Sequence, residues 1–268
     1  MTLAEFPRKL AARCSGLYAL NIYLPLSAID RARRARRRAR RGVTSRHAQA
    51  TRLPPIDWSE AFANRPIYLL KTHKRNGNTQ LGELAVLALA AAATAPGSEI
   101  IEIGTFDGRT TLNLAVNAPD ETAIFTLDLP PDESTQLPLD TGERHFVDHR
   151  ARGEHIRSCP QLWSHKAGRI VQLLGDSATF DWSGHFGKAG LVFVDGSHSY
   201  PYAMKDSETA MRLVRQGGIV IWHDYGVWEG VTRALEELAA QRRLDLRHIH
   251  GTSLAFWRAV EMTLGGAQ

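Results

Sequence analysis

The chain has 268 residues, 43% of them apolar, and a formal net charge of +5. That is enough to build one large domain, or one domain with an appendage, around a sizeable core. Cys14 and Cys159 are the only cysteines, which excludes a disulfide framework or a zinc-type spacing and makes a reducing cytoplasm the expected compartment.

The charge is unevenly placed. Residues 1–52 hold 13 Lys and Arg against 2 Asp and Glu, whereas the rest of the chain is acidic, with 20 against 26. Just before its arginines the arm holds an apolar stretch, Leu17–Ile29, which has the length of a signal-peptide core. An arginine block rather than a small-residue cleavage site follows it, so secretion is not expected. That block, Arg31–Arg41, carries eight arginines in eleven residues. A solvated extension and a contact with an anionic surface (lipid, nucleic acid or an acidic partner) both fit it. An N-terminal helix packed on the body or on a second subunit, as in a homo-oligomer, is a further expectation. No apolar run reaches the roughly 18 residues of a membrane-spanning helix.

Thr51–Ile56, TRLPPI, reads as a linker because paired prolines oppose helix. All the motifs described below lie beyond residue 80, so the arm is expected to be dispensable for chemistry. Asn78–Ala93 has apolar residues at helical spacing. Strands are then expected near residues 100, 124, 171, 192 and 220, with helices near 110, at 201–215 and at 229–241. A last strand is expected at Ser253–Trp257. This alternation predicts an α/β fold with a doubly wound, mostly parallel sheet.

The richest stretch is IEIGTFDGRTT, residues 101–111. An apolar strand breaks at Gly104 and Gly108 and runs into a helix, so the backbone can approach a ligand closely. A pyrophosphate loop would read G-x-G-x-x-G without a neighbouring acid. Here Glu102 leads two glycines four apart, which suits a ligand with hydroxyls and an ammonium group, and points to S-adenosylmethionine. Later strands also end on polar residues: Asp128, Asp176 with Ser177, Asp195, and His223 with Asp224. The carboxyl ends of strands are where open α/β sheets bind ligands.

With IEIGTFDGRTT, TLDL, GDS, LVFVDGSHSY, RQGGIVIWHDY and GTSLAFWR, the chain resembles the class I S-adenosylmethionine-dependent methyltransferases. It is most similar to the branch of macrolide-sugar O-methyltransferases and cephalosporin-hydroxylase-like proteins. The resemblance implies a seven-stranded Rossmann-like sheet with one antiparallel strand. The charge shift and the paired prolines divide the chain into a basic extension and linker over 1–56 and a domain over 57–268. The resemblance also implies that Glu102, Gly104, Thr105 and Phe106 line the methionine and ribose side of the cofactor. Asp128 would take the ribose hydroxyls, and Asp176 and Ser177 would meet the adenine edge. Phe106 stands where a middle glycine is common in the wider family.

His198, just past the fourth strand of the motif series, is the expected general base, because imidazole titrates near neutrality. Asp195, His223 and Asp224 are the expected ligands of Mg²⁺ or another divalent metal that would orient an acceptor hydroxyl. The branch carries an acidic pair where this chain has His223 and Asp224, and a histidine favours a softer metal. His145, Asp148 and His149 form a second cluster inside the long Pro130–Lys166 segment, which is expected to cover substrate. The Asn/Asp-Pro-Pro-aromatic loop of base methylation is missing after the fourth strand, so methylation of an exocyclic amine is not expected, while ribose methylation stays open. The acceptor that the resemblance implies is a small-molecule hydroxyl, on a sugar or glycosylated metabolite. The competing readings are a metal-dependent hydroxylase-like relative and a non-catalytic partner protein.

Overall fold

A computed structural model of the chain describes residues 5–40, 51–75, 77–145 and 152–260. Its centre is a single eight-stranded sheet. In spatial order the strands are β1 (Pro55–Ile56), β7 (Arg247–Ile249), β8 (Ala255–Arg258), β6 (Val214–Trp222), β5 (Ala189–Val194), β2 (Glu99–Ile103), β3 (Ala123–Asp128) and β4 (Ile170–Leu174). Only β8 runs antiparallel to its neighbours.

The strands read as near-continuous apolar runs because both faces are covered, as parallel sheets require. Ile100 faces one core with Leu84, Leu87, Phe193 and Ile221; Ile101, one residue on, faces the other with Val192, Val220, Leu213 and Leu235. The first core is filled by helix α4 (Leu81–Ala93), which is buried along nearly its whole length, as expected of a helix apolar on all sides. It starts at a reciprocal cap between Gln80 and Glu83, three residues later than the apolar spacing predicts. The second core is closed by α8 (Tyr200–Leu213) and α9 (Glu229–Arg242).

The sheet has eight strands where seven were expected. The addition comes from TRLPPI, which is an edge strand and not a free linker. Pro55 and Ile56 pair with His248 and Ile249, an edge position where proline leaves no central ladder bond unmade. The N–H groups of Arg52 and Leu53 both donate to the Tyr225 hydroxyl, at 2.9 Å.

Helix α1 (Glu5–Tyr18) continues through a π turn at Ala19–Tyr23 into α2 (Leu24–Arg40). Ala12, Ala19, Leu20 and Leu24 are buried against the body. Gly16 meets Ile67 and Gly82 meets Leu24, so closely that a Cβ at either glycine would collide with its neighbour. This part of the arm is packed rather than solvated.

Candidate active site

The sheet order reverses between β2 and β5, and the loops after those two strands lie side by side. Gly104 has φ of +103°, and a Cβ there would run into the carbonyl of Asp195. Glycine is therefore required where the two loops meet. Above them opens a cavity of about 370 Å³. Its wall includes Gly104, Phe106, Asp128, Asp176, Ser177, Asp195, His198, His223 and Asp224. Nine of the eleven residues singled out in the sequence thus share one cavity.

Glu102 and Thr105 are the two that do not line it. Both are buried behind the wall, where the Glu102 carboxyl accepts from the hydroxyls of Thr111 and Thr126, and Thr105 pairs with Thr126 at 2.7 Å. Burial pushes Glu102 up to about 8, with the nearby charges of Asp195 and Asp128 adding to the effect. It is a carboxylic acid at neutral pH, bracing the loop from beneath.

Asp128, at the tip of β3, lies 3.5 Å from the guanidinium of Arg152. The Asp176 carboxylate accepts from the backbone N–H of Gln136 and Ala178 and from the Tyr202 hydroxyl, at 2.7, 2.9 and 2.7 Å. It ties the loop after β4 to both the long segment and α8.

The charged heart of the cavity is an alternating array of carboxylates and imidazoles. His198 Nδ1 donates to Glu143 at 2.6 Å and its Nε2 lies 2.8 Å from Asp224. Its ring stacks on Trp228 with centroids 4.5 Å apart. His223 Nδ1 donates to Asp195 at 2.9 Å, its Nε2 reaches Glu83 at 3.3 Å, and Glu83 also meets Arg31 at 3.1 Å. Asp224 has the left-handed φ of +62°, a conformation that a non-glycine residue keeps only when its surroundings hold it there. Its carboxylate takes His198 on one side and His223, at 3.4 Å, on the other.

The titration behaviour follows from this layout. Burial alone would lower His198, but hydrogen bonds to Asp224 and Glu143 outweigh it and push the imidazole up to about 10. Burial would likewise lower His223, and the charges of Asp195 and Asp224 hold it well above its usual value. Glu83 and Asp224 are held well below the ordinary carboxylate range, because their imidazole partners overcome the burial penalty. Four carboxylates, Glu83, Glu143, Asp195 and Asp224, thus face two imidazole rings and the Arg31 guanidinium.

The sequence reading missed Glu83, Glu143, Tyr202 and Trp228. Glu83 did leave a signal: it is the one acid in the otherwise uncharged run LGELAVLALAAAA. Of the second cluster, His145 is described and is not part of the cavity wall; Asp148 and His149 lie outside the described residues.

Among the described residues, Asp195, His198 and Asp224 form the group whose donor atoms all fall within 4.8 Å of one another, close enough to share a metal ion. This differs from the expected set by one residue. His223 is not in that group; its ring nitrogens face Asp195 and Glu83.

Residues 101–225 match the family described as a methyltransferase domain. Solved structures with the same fold include the O-methyltransferase NovP, at 16% identity over 68% of this chain and 81% of that one, with a TM-score of 0.50. A protein of Corynebacterium glutamicum matches at 16% identity over 70% and 84%, with a TM-score of 0.51. The O-methyltransferase TomG of Streptomyces achromogenes, solved with S-adenosylmethionine and involved in tomaymycin synthesis, matches at 18% over 72% and 93%, with a TM-score of 0.46. No curated protein matches the sequence. Residues 101–225 thus carry the pattern of a methyltransferase domain, on the fold that these solved structures share.

Proposed function

We propose that the enzyme methylates a hydroxyl group of a small molecule, a sugar or a glycosylated metabolite being the acceptor class that fits best. The observation that carries this reading is His198, held by Glu143 on one nitrogen and presenting the other at Asp224, beside the Gly104 loop. A sulfonium donor supplies its own driving force. The protein's work is to align the acceptor oxygen and to receive its proton.

In this reading Gly104 and Phe106 pass along the methionine side of the donor, Asp128 accepts from the ribose hydroxyls, and the backbone at Asp176 and Ser177 meets the adenine edge. The acceptor hydroxyl lies against Asp195, Asp224 and the exposed edge of His198. His198 receives the proton when its Asp224-facing nitrogen is unprotonated, which its raised pKa makes the minor state near neutrality, and the neighbouring carboxylates stabilise the imidazolium that results. Glu143 acts through His198 as a positioning residue.

The 4.8 Å cluster favours a second reading of the same site. Two carboxylates and an imidazole suit a divalent transition ion better than Mg²⁺, which prefers oxygen ligands. Asp195, His198 and Asp224 would hold it, and when bound it would lower the pKa of an acceptor hydroxyl. Incubation with labelled S-adenosylmethionine and a panel of glycosides, with and without chelator, tests both readings. Label transfer to no hydroxyl-bearing acceptor, alongside transfer to an amine or thiol, would overturn the O-methylation proposal.

A further inference from the structure

The N-terminal helices have a second face that the body does not cover. Phe6, Leu10, Leu17, Tyr18, Ile22, Leu26 and Ile29 are between 47% and 59% exposed. These are large apolar side chains, and they line up. Along the stripe Phe6–Leu10–Leu17–Ile22–Leu26–Ile29 the spacings are four, seven, five, four and three. The single step of five lies across the π turn at Ala19–Tyr23. A π turn accommodates roughly one residue more than an α turn, so the step of five keeps Ile22 in line with Leu17. The irregularity thus preserves one continuous apolar face.

The opposite face, through Ala12, Ala19, Leu20 and Leu24, is fixed to the body. The exposed stripe therefore points outward on a helix that is held in place. Directly past its end come the arginines: seven of the eight in Arg31–Arg41 lie within α2. No helix among the described residues is long and apolar enough to cross a membrane.

We propose that this face is a docking surface for an anionic lipid bilayer, the apolar stripe entering the interfacial region while the arginine block meets acidic headgroups. An apolar helix face and a polybasic segment are the two signals that together give stable peripheral attachment. The stripe has no counterpart in nucleic-acid binding, where a basic face would suffice. A second copy of the chain on the same face would bring two strongly basic arms together, which their repulsion opposes. Arg31, two residues past the last side chain of the stripe, turns to the body instead, where it pairs with Glu83 and lines the cavity.

Sedimentation of the full chain with vesicles tests this. Binding is expected to phosphatidylcholine vesicles containing about a third phosphatidylserine, to weaken with salt as screening shortens the reach of the charges, and to be absent with phosphatidylcholine alone. Leu17→Glu with Leu26→Glu, both at exposed positions, should abolish binding. Gln at Arg36, Arg37 and Arg38 together should weaken it about 10²-fold, from the effect of each basic residue near an acidic surface. S-adenosylhomocysteine affinity, read by calorimetry, should be retained in both variants and shows that they are folded. Equal binding to neutral vesicles, no vesicle binding by the wild type, or wild-type binding by the double-Glu variant would each overturn the proposal. So would a dimer, seen by light scattering, that the double-Glu change converts to monomer without any vesicle effect. None of these outcomes depends on the acceptor of methyl transfer.

Discussion

Arg31 reaches from the arginine-rich helix to the buried carboxylate of Glu83, at 3.1 Å, and Glu83 in turn holds His223 Nε2 at 3.3 Å. The segment that composition sets apart from the body is thereby joined to the charged array of the cavity through two side-chain contacts.

The first prediction follows from that link. Removing residues 1–52 should destabilise the body rather than leave it intact, because Leu20 and Leu24 are buried in the main core, and each large aliphatic side chain contributes roughly 1.5–3 kcal/mol when buried. Leu20→Ala in the full chain should cost about 2–5 kcal/mol. Arg31→Met should have a smaller effect, since Arg31 is 40% exposed and its ion pair is partly screened. Denaturant unfolding of the three proteins gives the order. A truncated chain as stable as the full one would show that the packing seen here contributes nothing.

The second prediction concerns the donor. Asp128→Ala should weaken S-adenosylhomocysteine binding by at least about 10²-fold, since a carboxylate accepting two hydroxyl hydrogen bonds contributes on the order of 1.5–3 kcal/mol through each. Calorimetry measures this directly. Unchanged affinity would assign the ribose to another group.

The third prediction is one of stability against pH. Glu102 has its pKa raised to about 8 in the folded chain, against an ordinary value of 4.5. The unfolded chain releases this proton first. The stability that the protonated form provides is therefore fully present below about pH 4.5 and is lost as pH rises toward 8, at on the order of 1 kcal/mol per pH unit. Glu102→Gln keeps an acceptor for Thr111 and Thr126 and cannot ionise. Its Tm should exceed that of the wild type near pH 8, with the gap closing below pH 5. A parallel offset at every pH would rule out ionisation as the cause.

Much of this architecture is legible in the sequence, for a physical reason. Strands such as IIEI and LVFV are buried on both faces, so their apolar runs stand out, and the acids after them mark where the sheet opens. What escapes is whatever depends on contacts between distant segments. Glu143 lies in a long segment with no period to read, and only the fold brings it onto His198. The Pro55–Ile56 strand looks like a linker because prolines are poor ladder formers; pairing at the sheet edge with His248 and Ile249 is a tertiary effect. Glu102 illustrates the opposite error. Its position in the motif suggests a ligand contact, whereas its side chain lies behind the wall and accepts from two threonines, Thr111 and Thr126.

The last prediction separates imidazole from metal as the agent that activates the acceptor. His198 sits between Glu143 and Asp224, and it belongs both to that hydrogen-bonded array and to the group that could share an ion. If His198 is the proton acceptor, His198→Ala should lower kcat by about 10²–10⁴-fold, the usual range for acid–base catalysis, while S-adenosylhomocysteine affinity stays within a few-fold. Glu143→Gln should then lower kcat less, with KM nearly unchanged, because the ring remains but its orientation loosens. If an ion does the work, EDTA should abolish turnover, added Mn²⁺ or Zn²⁺ should restore it, and Asp195→Ala should reproduce the loss by removing a ligand that does not touch His198. Loss on both chelation and His198→Ala, with Glu143→Gln raising the metal concentration needed for half-maximal activity, would place His198 in the metal's coordination shell. Turnover at the wild-type rate by His198→Ala in the presence of chelator would remove both roles from this site.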